Sequence, residues 1–153
     1  MTNTVVYILK LENNKYYLGR TNNFEKRKLQ HINGNASYWT KKHRFVSVEK
    51  IMLFSSIYDE DRYTKEYMYI HGIDNVRGGA YSTIILDEEK KKFIEKELRN
   101  ANDLCIQCGS NKHFVKYCKE QNNNICYKIN YFIYNFIYDF LNPPIIDRPT
   151  TLF

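Results

Sequence analysis

The sequence predicts an α+β fold: a small three-stranded antiparallel sheet flanked by helices, then a cysteine-rich segment and an aromatic helix. Three observations carry this expectation. Two runs of β-forming residues, 4–11 and 15–21, flank the polar cluster Glu12-Asn13-Asn14-Lys15, which reads as a hairpin turn. Helical patterns then recur three times, each with a capping or acidic start. Four cysteines are confined to positions 105, 108, 118 and 126.

The first helix is expected over residues 23–33. Asn22 or Asn23 can cap it, Phe24 opens its apolar face and Gly34 ends it. Arg27 and His31 stand four apart, so both point the same way. Residues 35–42 read as a polar loop carrying Trp39. Residues 45–54 hold Val46, Val48, Ile51 and Leu53, a content that favours a third strand. Asp59-Glu60-Asp61 then opens a second helix, with acids where the helix dipole favours them. Tyr63, Tyr67 and Ile70 follow at helical spacing, and Gly72 ends it. Residues 72–82 contain three glycines and read as a loop. Asp87-Glu88-Glu89 opens a third helix to about residue 100, with Phe93, Ile94 and Leu98 expected inward.

These signals divide the chain into residues 1–100, 101–120 and 121–153. The last part carries an aromatic run from Cys126 to Leu141, stopped by Pro143-Pro144, and then a loose tail. That run holds Lys128, Asn135 and Asp139 and is short for a membrane span, so a packing helix or a partner surface is expected. A membrane-surface or interaction role built on it is a competing reading. At 153 residues and 43% apolar content, the chain suits one compact domain with an appendage.

The net charge of +6 is uneven. Residues 1–58 hold ten Lys/Arg against three Asp/Glu, whereas residues 59–153 hold thirteen against fourteen. The excess therefore belongs to the tyrosine-bearing segment, and a polyanion such as nucleic acid is the natural partner. Met1-Thr2-Asn3-Thr4 leads straight into a strand, without a secretory signal. The expected compartment is reducing, cytoplasmic or nuclear, where clustered cysteines point to a metal rather than disulfides.

Within residues 5–31, Val5-Val6-Tyr7 and Tyr17-Leu18-Gly19 are separated by nine residues and followed by Arg27 and His31. This ordered set resembles the GIY-YIG nuclease family over residues 4–98. Val replaces the first Gly and Ile, and Leu replaces the second Ile; the tyrosines and second-motif glycine are retained. The resemblance implies a metal-dependent endonuclease that hydrolyses DNA. Tyr7 would be the general base, Tyr17 would orient water or phosphate, and His31 would donate to phosphate or assist proton transfer. Glu66, in Tyr63-Thr64-Lys65-Glu66, is the expected Mg²⁺ ligand, and Asn75 best matches the family's late asparagine.

The chemistry of these side chains fits that reading. Phosphodiester hydrolysis needs a base for the water, positive charge at the phosphoryl oxygens and stabilisation of the leaving oxygen. Arg27 offers a permanent fork for phosphate. A carboxylate with waters suits Mg²⁺. A tyrosine base requires its pKa of about 10 to fall, and Arg27 beside Tyr7 is expected to lower it. Lys26, Lys28, Lys41 and Lys42 are expected to meet the DNA backbone. Each residue also has a plain reading as a strand aromatic, solvated charge or turn residue; their joint order favours function. The DNA could be duplex, branched or single-stranded, no small-molecule cofactor is expected, and an inactive nucleic-acid-binding module is the alternative.

Cys105, Cys108, His113 and Cys118 have the spacing C-x2-C-x4-H-x4-C, which resembles a CCHC zinc knuckle. Three thiolates and an imidazole suit closed tetrahedral zinc, and so small a segment needs the metal to fold. Phe114 and Tyr117 are expected to stack on unpaired bases, with Lys116 at the phosphates. A purely structural zinc remains the alternative, and Cys126 lies outside the spacing.

Overall fold

A computed structural model describes residues 4–53 and 56–119. The chain begins with β1 (Val5–Leu11) and β2 (Lys15–Thr21), paired antiparallel from Val5 opposite Thr21 to Leu11 opposite Lys15. Their connection is a single 3-10 turn, Glu12–Asn14, in which Asn13 and Asn14 take positive φ of 59° and 53°. Asn tolerates this left-handed conformation better than most residues, so Asn13-Asn14 suits the turn.

Next come α1 (Phe24–Ile32), α2 (Tyr38–Lys42), β3 (Phe45–Leu53), α3 (Asp59–His71), β4 (Val76–Gly78) and α4 (Glu88–Ala101). The Asn23 side chain caps α1 by accepting from the Lys26 amide, and Asp87 does the same for α4 at Lys90. The sheet order is β3-β1-β2-β4. The sheet therefore has four strands rather than the expected three. β4 lies parallel to β2, with Tyr17 opposite Arg77 and Leu18 opposite Gly78. Three residues are too few to show an alternation pattern, which is why the sequence reads them as loop. The loop expected at residues 35–42 likewise contains α2, capped by the Ser37 side chain.

Alternation along the central strands gives the sheet two apolar faces. On one face Ile8, Tyr16 and Leu18 join Met68 of α3 and Ile94 and Leu98 of α4. On the other, Tyr7, Leu9, Leu11 and Tyr17 join Trp39. Full burial of each large apolar side chain is worth about 1.5–3 kcal/mol, so both faces hold the sheet in place. Phe93, expected inward on α4, is 60% exposed instead; Ile94 and Leu98 form the buried stripe. Arg77 is buried and donates to the carbonyls of Ile73, Val76, Thr83 and Ile84, tying β4 to the following loop. Among the described residues no helix is long and apolar enough to cross a membrane. The aromatic run, Cys126 and the tail lie outside the described residues.

Candidate active site and metal centre

Tyr7 and Tyr17 sit on neighbouring strands of one sheet face, their ring centroids 6.4 Å apart. Tyr7 is paired with Gly19 across the hairpin. A side chain at position 19 would run into the Tyr7 phenol, so the glycine makes room for the ring. The β1–β2 hairpin thus fixes the phenol, and α1 brings two partners to it from one helical face.

The Tyr7 hydroxyl lies 2.9 Å from His31 Nε2, and Arg27 Nε donates to the same oxygen at 3.2 Å. His31 Nδ1 is 2.9 Å from Thr40 Oγ1, while the Thr40 hydroxyl donates to the Ser37 carbonyl. One proton assignment satisfies every contact: the Thr40 proton on the Ser37 carbonyl, Nδ1–H on Thr40 Oγ1, and Nε2 bare towards the Tyr7 hydroxyl. Burial, followed by the Arg27 charge, lowers the His31 pKa to about 4, so the ring is neutral at pH 7.

The Tyr7 pKa is not lowered as expected. Arg27 does pull the phenol down by hydrogen bond and charge, but burial outweighs it and Tyr17 adds to the rise. Tyr7 is therefore a neutral phenol whose pKa is raised above its usual value. Tyr17 is raised as well, chiefly by burial. Its ring lies 4.8 Å from that of His31.

The carboxylate within electrostatic reach of this cluster belongs to Glu60, whose charge acts on both Tyr7 and Tyr17. Burial raises the Glu60 pKa, and the Gly79 amide and Arg20 partly offset it. Gly79 N donates to Oε1 at 3.3 Å, and Arg20 Nε stands 3.5 Å from Oε2. The next residue, Asp61, accepts from the Ala80 amide at 2.8 Å. A half-buried carboxylate oriented in this way, with its charge incompletely compensated, fits a hard divalent cation that keeps several waters.

Glu66 is not brought to the cluster. It is exposed on α3 and lines a cavity of about 670 Å³ with Asp61, Arg62, Lys65 and Glu97. The helical phase explains this. Glu60 precedes the buried Thr64 and Met68 at i+4 and i+8, whereas Glu66 falls on the other side of the helix. The first-turn position is the signal for Glu60 that the sequence carries; its inward phase shows only in the burial of Thr64 and Met68. Asn75 is also elsewhere: its side chain donates to the His71 carbonyl and accepts from Lys15 Nζ, fastening the start of β2 to the end of α3. Trp39 is core, donating Nε1–H to the Tyr16 carbonyl. Lys26, Lys41 and Lys42 are exposed, and Lys28 pairs with Glu25 at 2.8 Å.

The second constellation follows α4. One ligand atom each from Cys105, Cys108, His113 and Cys118 falls within 4.8 Å of the others. Gly109, at φ +76°, permits the tight turn in which its amide donates to the Cys105 carbonyl. Burial pushes the Cys108 thiol up to about 11, a condition that thiolate coordination of a metal would reverse. The donor set and its closeness fit tetrahedral zinc. The segment is docked, not dangling: the largely buried Arg99 of α4 donates Nη1 to the Ile106 and Gln107 carbonyls, both at 2.9 Å. Phe114 and Tyr117 are 64% and 68% exposed, and Lys116 is exposed beside them.

A tyrosine hairpin, an Arg-x-x-x-His helix and an acid on the next long helix are thus brought within electrostatic reach of one another. Residues 3–72 match the family model of the GIY-YIG catalytic domain, and this part of the chain is similar to that nuclease family. No curated protein and no solved structure matches the chain.

Proposed function

We propose that the protein is a divalent-metal-dependent endonuclease that hydrolyses DNA phosphodiester bonds. The observation that carries this reading is the Tyr7 hydroxyl, held between the Arg27 guanidinium and a neutral His31. Water attacking phosphorus passes a proton to the Tyr7 oxygen as the phenol gives its own to His31 Nε2. The P–O bond to the leaving sugar then breaks. This relay needs no free phenolate, which agrees with the raised Tyr7 pKa. Arg27 supplies fixed positive charge to the phosphoryl oxygens, and Tyr17 orients the water or the phosphate. Glu60, in place of the expected Glu66, would hold Mg²⁺, which supplies charge for the leaving oxygen. Asn75 takes a bracing role between β2 and α3.

Lys26, Lys28, Lys41 and Lys42 would meet the DNA backbone. Residues 1–100 serve as the nuclease unit. Residues 101–120 form a zinc-bound element through Cys105, Cys108, His113 and Cys118, with Phe114, Lys116 and Tyr117 on nucleic acid. Thiolate ligands suit a reducing intracellular compartment. The deciding experiment is cleavage of plasmid and defined oligonucleotides with and without Mg²⁺, for the full chain and Tyr7→Phe. Mg²⁺-dependent nicking that Tyr7→Phe suppresses is expected. Binding with no cleavage under any divalent cation would leave an inactive nucleic-acid-binding module.

A further inference from the structure

Between the end of α1 and the start of α2 lies a concavity of about 270 Å³, lined by Gly34, Asn35, Ala36, Ser37, Tyr38 and Lys41. Tyr38 is 75% exposed and belongs to neither apolar core. An aromatic ring left this open at the first residue of α2 contributes little to folding, yet its faces are available for stacking. Lys41 places positive charge at the same rim.

The notch adjoins the catalytic cluster on two sides. Ser37 forms one wall, accepts from the Thr40 amide, and its hydroxyl contacts that of Thr40; Thr40 in turn contacts His31. The Ser37 side chain also lies close enough to the Tyr17 phenol to pull its pKa down. On the other side, the Asn35 amide donates to the Gln30 carbonyl, while the Gln30 side chain accepts from Arg27. The notch and the Tyr7–Arg27 cluster thus share one hydrogen-bond network, through Thr40 on one side and Gln30 on the other. At about 270 Å³ the notch is smaller than a pocket for a drug-sized ligand and matches a single ring system.

We propose that this notch receives an unpaired nucleobase flanking the scissile phosphate, stacked on Tyr38 with Lys41 at its phosphate. The protein is then selective for DNA with an unpaired nucleotide at the cleavage point, such as a flap, a bulge or a single strand. This rests on the nuclease reading. A ring beside a scissile phosphate can stack on a base only if that base has left the duplex, and such stacking is sequence-tolerant.

The test uses the full chain carrying Glu60→Gln, which removes the proposed metal ligand, and oligonucleotides with 2-aminopurine on either side of the cleavage point. Each is offered as a perfect duplex and as a flap of the same sequence. Tighter binding of the flap is expected, with altered 2-aminopurine emission at one flanking position. Adding Tyr38→Ala should abolish that optical change and weaken flap binding about tenfold, the effect of losing one stacked base. Tyr38→Phe should restore both, and Tyr58→Ala, an equally exposed tyrosine on α3's side, should alter neither. Equal affinity for duplex and flap, or an optical change that survives Tyr38→Ala, overturns the notch assignment while leaving the nuclease reading in place. No cleavage by the unmodified chain and no binding of either substrate overturns both.

Discussion

The Tyr7 hydroxyl and His31 Nε2 meet at 2.9 Å across the interface between the hairpin and α1, both side chains fully buried. This contact joins sequence positions 24 residues apart, and Arg27 completes it from the same helix. It ties the first strand to the first helix through a buried polar contact, so the two are more than packed neighbours.

Removing either end of the contact should slow cleavage without abolishing DNA binding. Tyr7→Phe keeps the ring and deletes the relay oxygen, and His31→Ala deletes the acceptor. Each should reduce kcat on the order of 10²-fold, about 2.7 kcal/mol of transition-state stabilisation. Tyr16→Phe is the control, because Tyr16 stacks on His71 in the opposite core. Single-turnover kinetics distinguish these cases, and equal losses at Tyr16 and Tyr7 would refute the assignment of the catalytic face.

His31 also predicts the acid limit of the fold. Its folded pKa of about 4 lies below the ordinary value of 6.5. A depressed pKa means the unfolded state binds the proton more readily, so the native state gains most above pH 6.5. That contribution should fall away as the pH drops from 6.5 towards 4. Urea unfolding at several pH values, for the full chain and His31→Gln, measures it. A variant with the same pH slope over that window would show that the buried imidazole is not responsible.

Glu60→Gln and Glu66→Gln separate the two carboxylates. Glu60→Gln should lower cleavage at least 10²-fold and weaken divalent-cation binding, since it removes the charged ligand. Glu66→Gln alters an exposed side chain on the far side of α3 and should stay near wild-type in both. Mn²⁺ affinity by electron paramagnetic resonance gives a readout that does not depend on turnover. The reverse ranking would restore Glu66 as the ligand.

Gly19→Ala tests the space that the hairpin leaves for the phenol. The added methyl would collide with the Tyr7 ring end, so strand or ring must move. Overpacking of this kind costs about 1–3 kcal/mol. Denaturant midpoints should fall accordingly, and under the proposed relay kcat should fall more than KM rises. A stable variant with unchanged kcat would mean that the Tyr7 hydroxyl position is unimportant.

Much of this site is legible in the sequence because its parts are local. Tyr7, Tyr17, Arg27 and His31 lie within 25 residues, and strand alternation and helical spacing suffice to bring them to one face. What failed to show depends on long-range pairing or on helix phase. β4 exists only by pairing with β2, about sixty residues earlier in the chain. Glu66 and Glu60 share a helix, and only the burial of Thr64 and Met68 reveals which of them faces inward. Tyr7's raised pKa depends on how deeply two sheet faces bury it, which composition does not encode.

The last prediction concerns the coupling of the cysteine segment to the core that α4 helps to form. Arg99 sits in the final turn of α4, whose Ile94 and Leu98 belong to the larger core, and it holds two carbonyls of the Cys105–Cys108 turn. The Leu104 amide adds a bond to the Arg99 carbonyl at 2.9 Å. Metal loss should therefore loosen the end of α4 as well as the segment itself. One Zn²⁺ per chain is expected by metal analysis, and a chelator or Cys105→Ser should lower the melting temperature of the main transition. Arg99→Ala should retain zinc yet lose stability of about 2–4 kcal/mol, because two charge-assisted hydrogen bonds disappear and their acceptors lose a partner. Calorimetry of the full chain, with metal content measured on the same samples, decides between coupling and independence. A main transition unmoved by zinc removal, with a separate small transition for the segment, would show that the segment is an independent appendage.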